Sequence, residues 1–164
     1  MKVLVTGAGG FIGSKLCKKL ISEGYEVYGI IHNNPSKAEG IQIINADLTK
    51  NDFVIPDVKF DAVFHLAAAT PLVKDKKKQK RINYDGTVNL FEKIKDKTNF
   101  IIYASGLGVF GSTDGVVNEQ SLIKPDTDFV KIRLEAQKFL ENSCKNNNIG
   151  FSVCYFGDVY GNAN

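Results

Sequence analysis

The sequence predicts an α/β protein, a doubly wound parallel sheet of about six strands in the order 3-2-1-4-5-6. Three observations carry that expectation. A short apolar strand at the N-terminus runs into a glycine-dense turn and then an amphipathic helix. Apolar segments of strand length then alternate with segments of helical period along the whole chain. The strand segments are continuously apolar, as they are when a parallel sheet is covered on both faces.

The first strand is Lys2-Val3-Leu4-Val5, and Thr6-Gly7-Ala8-Gly9-Gly10-Phe11-Ile12-Gly13 is the turn. Its glycines fit the spacing T-G-x-x-G-x-x-G, with Gly9 as an extra. Gly7 lets the chain leave the strand in a tight turn, and Gly10 lets backbone N–H groups approach a pyrophosphate without a Cβ in the way. Gly13 lets the helix pack closely on the sheet. The helix continues through Ile12, Leu16 and Leu20, and Gly24 stops it. Tyr25 to Ile31 is the second strand, Ile41 to Ile44 the third and Ala62 to Leu66 the fourth. A helix follows from about Gln79 to Lys95, with Ile82, Leu90 and Ile94 among its apolar positions. Phe100 to Ala104 is the fifth strand. Asp128 to Lys145 is a long helix with Phe129, Ile132, Ala136, Phe139, Leu140 and Cys144 on one side, and Phe151 to Phe156 is the sixth strand.

At 164 residues and 43% hydrophobic, with only 4 Pro, the chain suits one globular domain over 1–164. Its net charge of +3 is concentrated in one place: Lys74 to Arg81 holds six basic residues and one acid, so the remainder is mildly acidic. The run has two readings, attraction of an anionic ligand or a mobile solvated loop and helix start. The second is the bland expectation, under which serines at Lys76, Lys77 and Lys78 leave cofactor affinity unchanged. With no interleaved aromatics, the run argues against a nucleic-acid partner. Cys17, Cys144 and Cys154 form no C-x-x-C pair, and His32 and His65 are the only histidines, so no metal site is expected. The odd cysteine count and the absence of a leader fit a reducing cytoplasm. No apolar run approaches the roughly 18–20 residues that span a bilayer. His65, inside an apolar strand, reads as structural.

Six segments in order resemble the extended short-chain dehydrogenase/reductases, the NAD(P)-dependent nucleotide-sugar epimerase/dehydratase group. They are Thr6 to Gly13, Ala46-Asp47-Leu48, His65-Leu66-Ala67-Ala68, Asn83-x-x-Gly86-Thr87-x-Asn89-Leu90, Val109-Phe110-Gly111 and Asp158-Val159-Tyr160-Gly161. The resemblance implies a Rossmann-type domain that binds NAD(P) and acts on a nucleotide-sugar or related hydroxyl or carbonyl substrate. A homodimer is compatible with it. The implied cofactor residues are Gly7, Gly9, Gly10, Phe11, Ile12 and Gly13 in the turn. Asp47 would meet the adenine with Leu48 beside it, Leu66, Ala67 and Ala68 would lie along the cofactor, and Asn83 would contact it. A turn carboxylate for Asp47 and a helix-capping amide for Asn83 stay open. No acid stands at the end of the second strand, where His32-Asn33-Asn34-Pro35-Ser36-Lys37 resembles NADP-using relatives. His32, Asn33 and Lys37 are therefore candidates for a 2′-phosphate, and a modest NADPH preference is expected.

In this family a Ser or Thr after the fifth strand and a Tyr-x-x-x-Lys on the next helix move protons, the ammonium lowering the tyrosine's pKa from about 10. The matching positions here are Gly106, Phe129 and Arg133. Arg133 keeps a charge that can reach a ribose hydroxyl, but Phe129 has no proton and Gly106 no hydroxyl. Ser105 is one residue away and expected to point elsewhere, while Tyr103 and Tyr155 are substitutes of the right chemistry. The alternative to an active oxidoreductase or epimerase is therefore a catalytically impaired dinucleotide-binding module, a pseudo-enzyme or redox sensor. Relatives extend well past a sixth strand into a substrate-recognising portion, so that portion is expected to be absent or truncated here.

Overall fold

The computed structural model describes residues 1–32 and 40–161. Strands β1 (Lys2–Thr6), β2 (Glu26–Ile31), β3 (Gln42–Asn45), β4 (Ala62–His65), β5 (Phe100–Gly106) and β6 (Gly150–Phe156) form one sheet in the order β3-β2-β1-β4-β5-β6. Every pairing is parallel. The order is the expected 3-2-1-4-5-6. Helices α1 (Phe11–Ser22), α2 (Lys76–Lys80), α3 (Gly86–Ile94) and α4 (Asp128–Asn146) connect the strands.

Alternation along β1 divides the core. Val3 and Val5 face one way and pack with Cys17 and Leu20 of α1 and with Val27 and Ile31 of β2. Leu4 faces the other way, into a larger cluster with Leu90 and Ile94 of α3, Ile101 and Tyr103 of β5, and Leu140 and Cys144 of α4. Both faces are thus covered across the middle of the sheet. The third strand departs from this. It starts one residue later than expected and lies at the edge, with Ile43 more than half exposed.

The helix expected from Gln79 begins at Lys76. Asp75 caps it, its carboxylate accepting from the backbone N–H of Lys77 and Lys78 at 2.9 and 3.1 Å. The lysine run is therefore capped helix rather than a free loop. Arg81–Asp85 then forms one π-helical turn before α3. Thr127 caps α4 by accepting from Val130 N–H at 3.3 Å. The strand order reverses between β1 and β4, and the crevice beyond their C-terminal ends is where ligands bind in open α/β sheets.

Candidate functional site

That crevice is a cleft of about 680 Å³. Its floor is the glycine turn. Gly7 sits at φ +69°, and a Cβ there would press on Ala67 N at 3.0 Å; a Cβ on Gly13 would fall 2.1 Å from Gly7 O. The turn and the first turn of α1, at Gly13, therefore pack backbone to backbone, which only glycine permits. Gly10 caps α1 with no side-chain hydrogen bond and no acid follows in the first turn, so the helix end offers its amides and positive pole to the cleft.

Thr6 fixes the opposite lip. Its Oγ1 accepts from Leu66 and Ala67 N–H at 3.1 and 3.0 Å, so its own proton goes to His65 Nδ1 at 2.8 Å. That makes His65 the Nε2–H tautomer, which donates to Thr87 Oγ1 at 2.8 Å, and Thr87 donates to Asn83 O at 2.8 Å. The chain of bonds runs from β1 through β4 into the helix behind the cleft. Burial, with a smaller push from the Arg133 charge, lowers the His65 pKa from 6.5 to about 3. His65 is a neutral strut, in keeping with the structural reading.

Of the expected cofactor residues, Gly7, Gly9 and Gly10, then His32, Asp47 and Leu48, then Leu66, Ala67 and Ala68 all line this cleft. Phe11, Ile12 and Gly13 do not. Gly13 is buried beneath the turn. Asn83 lies just behind the wall, 2% exposed, its Oδ1 accepting from Ala69 N–H at 2.8 Å while its Nδ2 has no partner. Asn33 and Lys37, with Ser36, lie outside the described residues. Burial opposes the Asp47 charge, but the Thr49 hydroxyl and amide at 2.7 and 3.0 Å, with His32 at 3.6 Å, more than offset it and hold the carboxyl below its usual pKa. An uncapped helix end, a glycine cradle and an orphaned buried amide are what a pyrophosphate-linked dinucleotide would use, and the residues fit it.

Three further residues in this wall belong to the run that the sequence left with two readings, attraction of an anionic ligand or a solvated loop and helix start: Lys77, Lys78 and Arg81. Their spacing at i, i+1 and i+4 puts them on one side of a helix. What the spacing alone left open was which side the fold would bury; Gln79 and Asn83 go inward, so the cations face the cleft.

Gly106, Phe129 and Arg133 come together elsewhere, in a second cleft of about 660 Å³ between the ends of β5 and β6 and the start of α4. Arg133 does not reach the first cleft's wall. Its guanidinium donates to Ala104 O and lies 5.4 Å from the Tyr103 ring centre. Tyr103 donates its hydroxyl to Arg133 O at 3.3 Å, and burial pushes its pKa up. Tyr155 accepts from Gln137 Nε2 at 2.9 Å. Ser105 also borders this cleft, but its Oγ is buried and unpartnered. A Cβ on Gly106 would meet only Phe156 O, at 3.6 Å, so the position has room for a side chain.

The family model described as the NAD dependent epimerase/dehydratase family matches residues 3–164. The chain belongs to that family. A UDP-glucose 4-epimerase of Mycolicibacterium smegmatis is 26% identical over 157 residues, 85% of this chain and 50% of that protein. An ADP-L-glycero-D-manno-heptose-6-epimerase of Brachyspira hyodysenteriae is 27% identical over 175 residues, 97% and 55% of the two chains. Among solved structures, a UDP-glucuronic acid 4-epimerase of Bacillus cereus in complex with NAD superposes with a TM-score of 0.82 at 31% identity, covering 98% of this chain and 57% of that one. The chain thus spans about half the length of the relatives it matches. No helix among the described residues is long and apolar enough to cross a membrane, and the described residues hold no group of three potential metal ligands.

Proposed function

We propose that the first cleft binds NAD(P) and that the protein serves oxidoreductase or epimerase chemistry on a nucleotide-sugar. The observation that carries this is the uncapped N-terminus of α1 behind the glycine turn, at the point where strand order reverses. It is supported by relatives named as nucleotide-sugar epimerases and by a neighbour in complex with NAD. Gly7, Gly9 and Gly10 take the pyrophosphate, Asp47 and Leu48 the adenine, and Leu66 to Ala68 the middle of the cofactor, with Asn83 Nδ2 held in reserve behind Ala69. Titrating NADH and NADPH by fluorescence against wild type and Gly10→Val tests it. The valine is expected to abolish binding of both, and equal affinity in the two proteins would refute the assignment.

A modest NADPH preference is part of this reading. His32, not an acid, follows the end of β2, and Asp47, 3.6 Å from it, is engaged by Thr49. Tighter binding of NADH in side-by-side titration would reverse it. Cytoplasmic placement and a homodimer belong to the same reading; light scattering tests the latter. The three cysteines are free thiols, as a reducing compartment requires.

When bound, the nicotinamide supplies hydride transfer. The chain's own part is orientation and proton handling in the second cleft. There Arg133 offers a fixed positive charge, pinned to Ala104 O and unable to serve as a proton reservoir. Phe129 and Gly106 contribute shape only. Those two residues favour the second reading, a dinucleotide-binding module without turnover, though the relatives give it no support.

A further inference from the structure

We infer that the cationic side of α2 and its π-turn, Arg81 with Lys77 and Lys78, selects for a phosphate on the adenosine ribose of the dinucleotide. The inference rests on the NAD(P) reading above and goes beyond it in naming the specificity residues. Three observations lead there. First, the three cations, though solvent-exposed, border the same cleft as the glycine turn. The helix is held in that orientation from both sides: Gln79 and Asn83 are buried, Gln79 donating to Val73 O, and Lys76 pairs with Asp128 of α4 at 2.9 Å.

Second, one end of the stripe is located. Arg81 donates to Thr49 Oγ1 at 3.4 Å, Thr49 donates to Asp47 Oδ1, and Asp47 stands 3.6 Å from His32. This contiguous group closes the cleft where β2 and β3 end, away from the β1–β4 midline where α1 points. A dinucleotide with its pyrophosphate at Gly10 therefore lays its adenosine half along Asp47, Thr49 and Arg81. Third, the acids nearby are already engaged. Asp75 is spent on capping Lys77 and Lys78 N–H, and Asp47 accepts from Thr49. The cations are left to answer an added dianion.

The π-turn explains how both faces are served. One extra residue in the turn shifts the register of everything after it, so Arg81 reaches the cleft while Asn83 still meets Ala69 N–H beyond β4 and Thr87 meets His65 of β4. Charge-assisted contacts from a guanidinium and two ammonium groups to phosphate are among the stronger polar interactions available at an exposed site.

The test compares wild type, Arg81→Ala and Lys77→Ser/Lys78→Ser by calorimetric titration with NADPH, NADH, 2′,5′-ADP and 5′-AMP. All three side chains are exposed, so thermal melts are expected to be unchanged. Each variant is expected to bind NADPH and 2′,5′-ADP about tenfold more weakly, with NADH and 5′-AMP changed less than about twofold. Raising salt is expected to weaken NADPH more than NADH in wild type and to lose that difference in the variants. Equal losses for both members of each pair would overturn the inference and assign the cations to the shared pyrophosphate. No loss in any titration would overturn it and return the run to a solvated face. Wild type binding neither dinucleotide would overturn the cleft assignment itself, and this inference with it.

Discussion

His65 and Phe129 hold opposite kinds of information. His65 looks reactive by type and is inert by position: both ring nitrogens are spent on Thr6 and Thr87, and the ring is 2% exposed. Its consequence is a pH dependence of stability. The unfolded chain takes up a proton on this residue near pH 6.5, the folded one only near 3, so the unfolded state binds more protons in between. Stability is full above pH 6.5 and falls by about 1.4 kcal/mol for each pH unit below it. Thermal melts between pH 7 and 5, above most carboxylate titrations, are expected to show this slope, and His65→Gln is expected to flatten it. Phe129, by contrast, is inert by type at the position where the proposed reading puts a proton donor. Gly106 has space for a hydroxyl, since its added Cβ meets only Phe156 O at 3.6 Å. Phe129→Tyr with Gly106→Ser is therefore expected to fold normally and to raise turnover on a nucleotide-sugar by about 10²–10⁴, the usual worth of acid–base help. That assay belongs in a chain as long as the relatives, with Arg133→Lys added to tune the new tyrosine. Ordinary turnover by the unmodified protein would instead point to Ser105, Tyr103 or Tyr155, of which Tyr103 is the poorest candidate because burial raises its pKa.

Single elements were legible in the sequence wherever one period dominated. The glycine turn, α1, α4 and strands β1, β2, β4 and β5 fall where periodicity places them, because each buries one clear apolar set, and β6 falls in place as a half-buried edge strand. β3 is short and edge-exposed, so its apolar run did not mean two-sided burial. The start of α2 was hidden for a different reason. Lysines carry no period of hydrophobicity, and the signal that a helix begins there is a single capping side chain, Asp75. The cleft-facing role of Lys77, Lys78 and Arg81 was hidden with it, since only the buried Gln79 and Asn83 fix the helix's rotation. Asp75→Ala removes two capping bonds and is expected to cost about 1 kcal/mol. The check is a lower urea midpoint at unchanged slope. A shift of less than a few tenths would mean that packing alone sets the start of α2.

On the scale of the whole molecule, the sheet makes two clefts. The β1–β4 reversal makes one cleft floored by the glycine turn, and the β5–β6 end with α4 makes another where Gly106, Phe129 and Arg133 meet. Leu140, 1% exposed in the larger core cluster, belongs to the scaffold beneath both, so Leu140→Ala is expected to cost about 2–5 kcal/mol in chemical denaturation. A smaller loss would show that α4 is held chiefly by other contacts. The first cleft is proposed as a dinucleotide site. Its most direct test is a two-dimensional amide NMR titration of the protein with NADPH. The largest shifts are expected on the amides of Gly7 to Gly13, Asp47 to Thr49 and Leu66 to Ala69, and Gly10→Val is expected to remove them. Shifts absent at millimolar cofactor, or clustered away from these three segments, would contradict it.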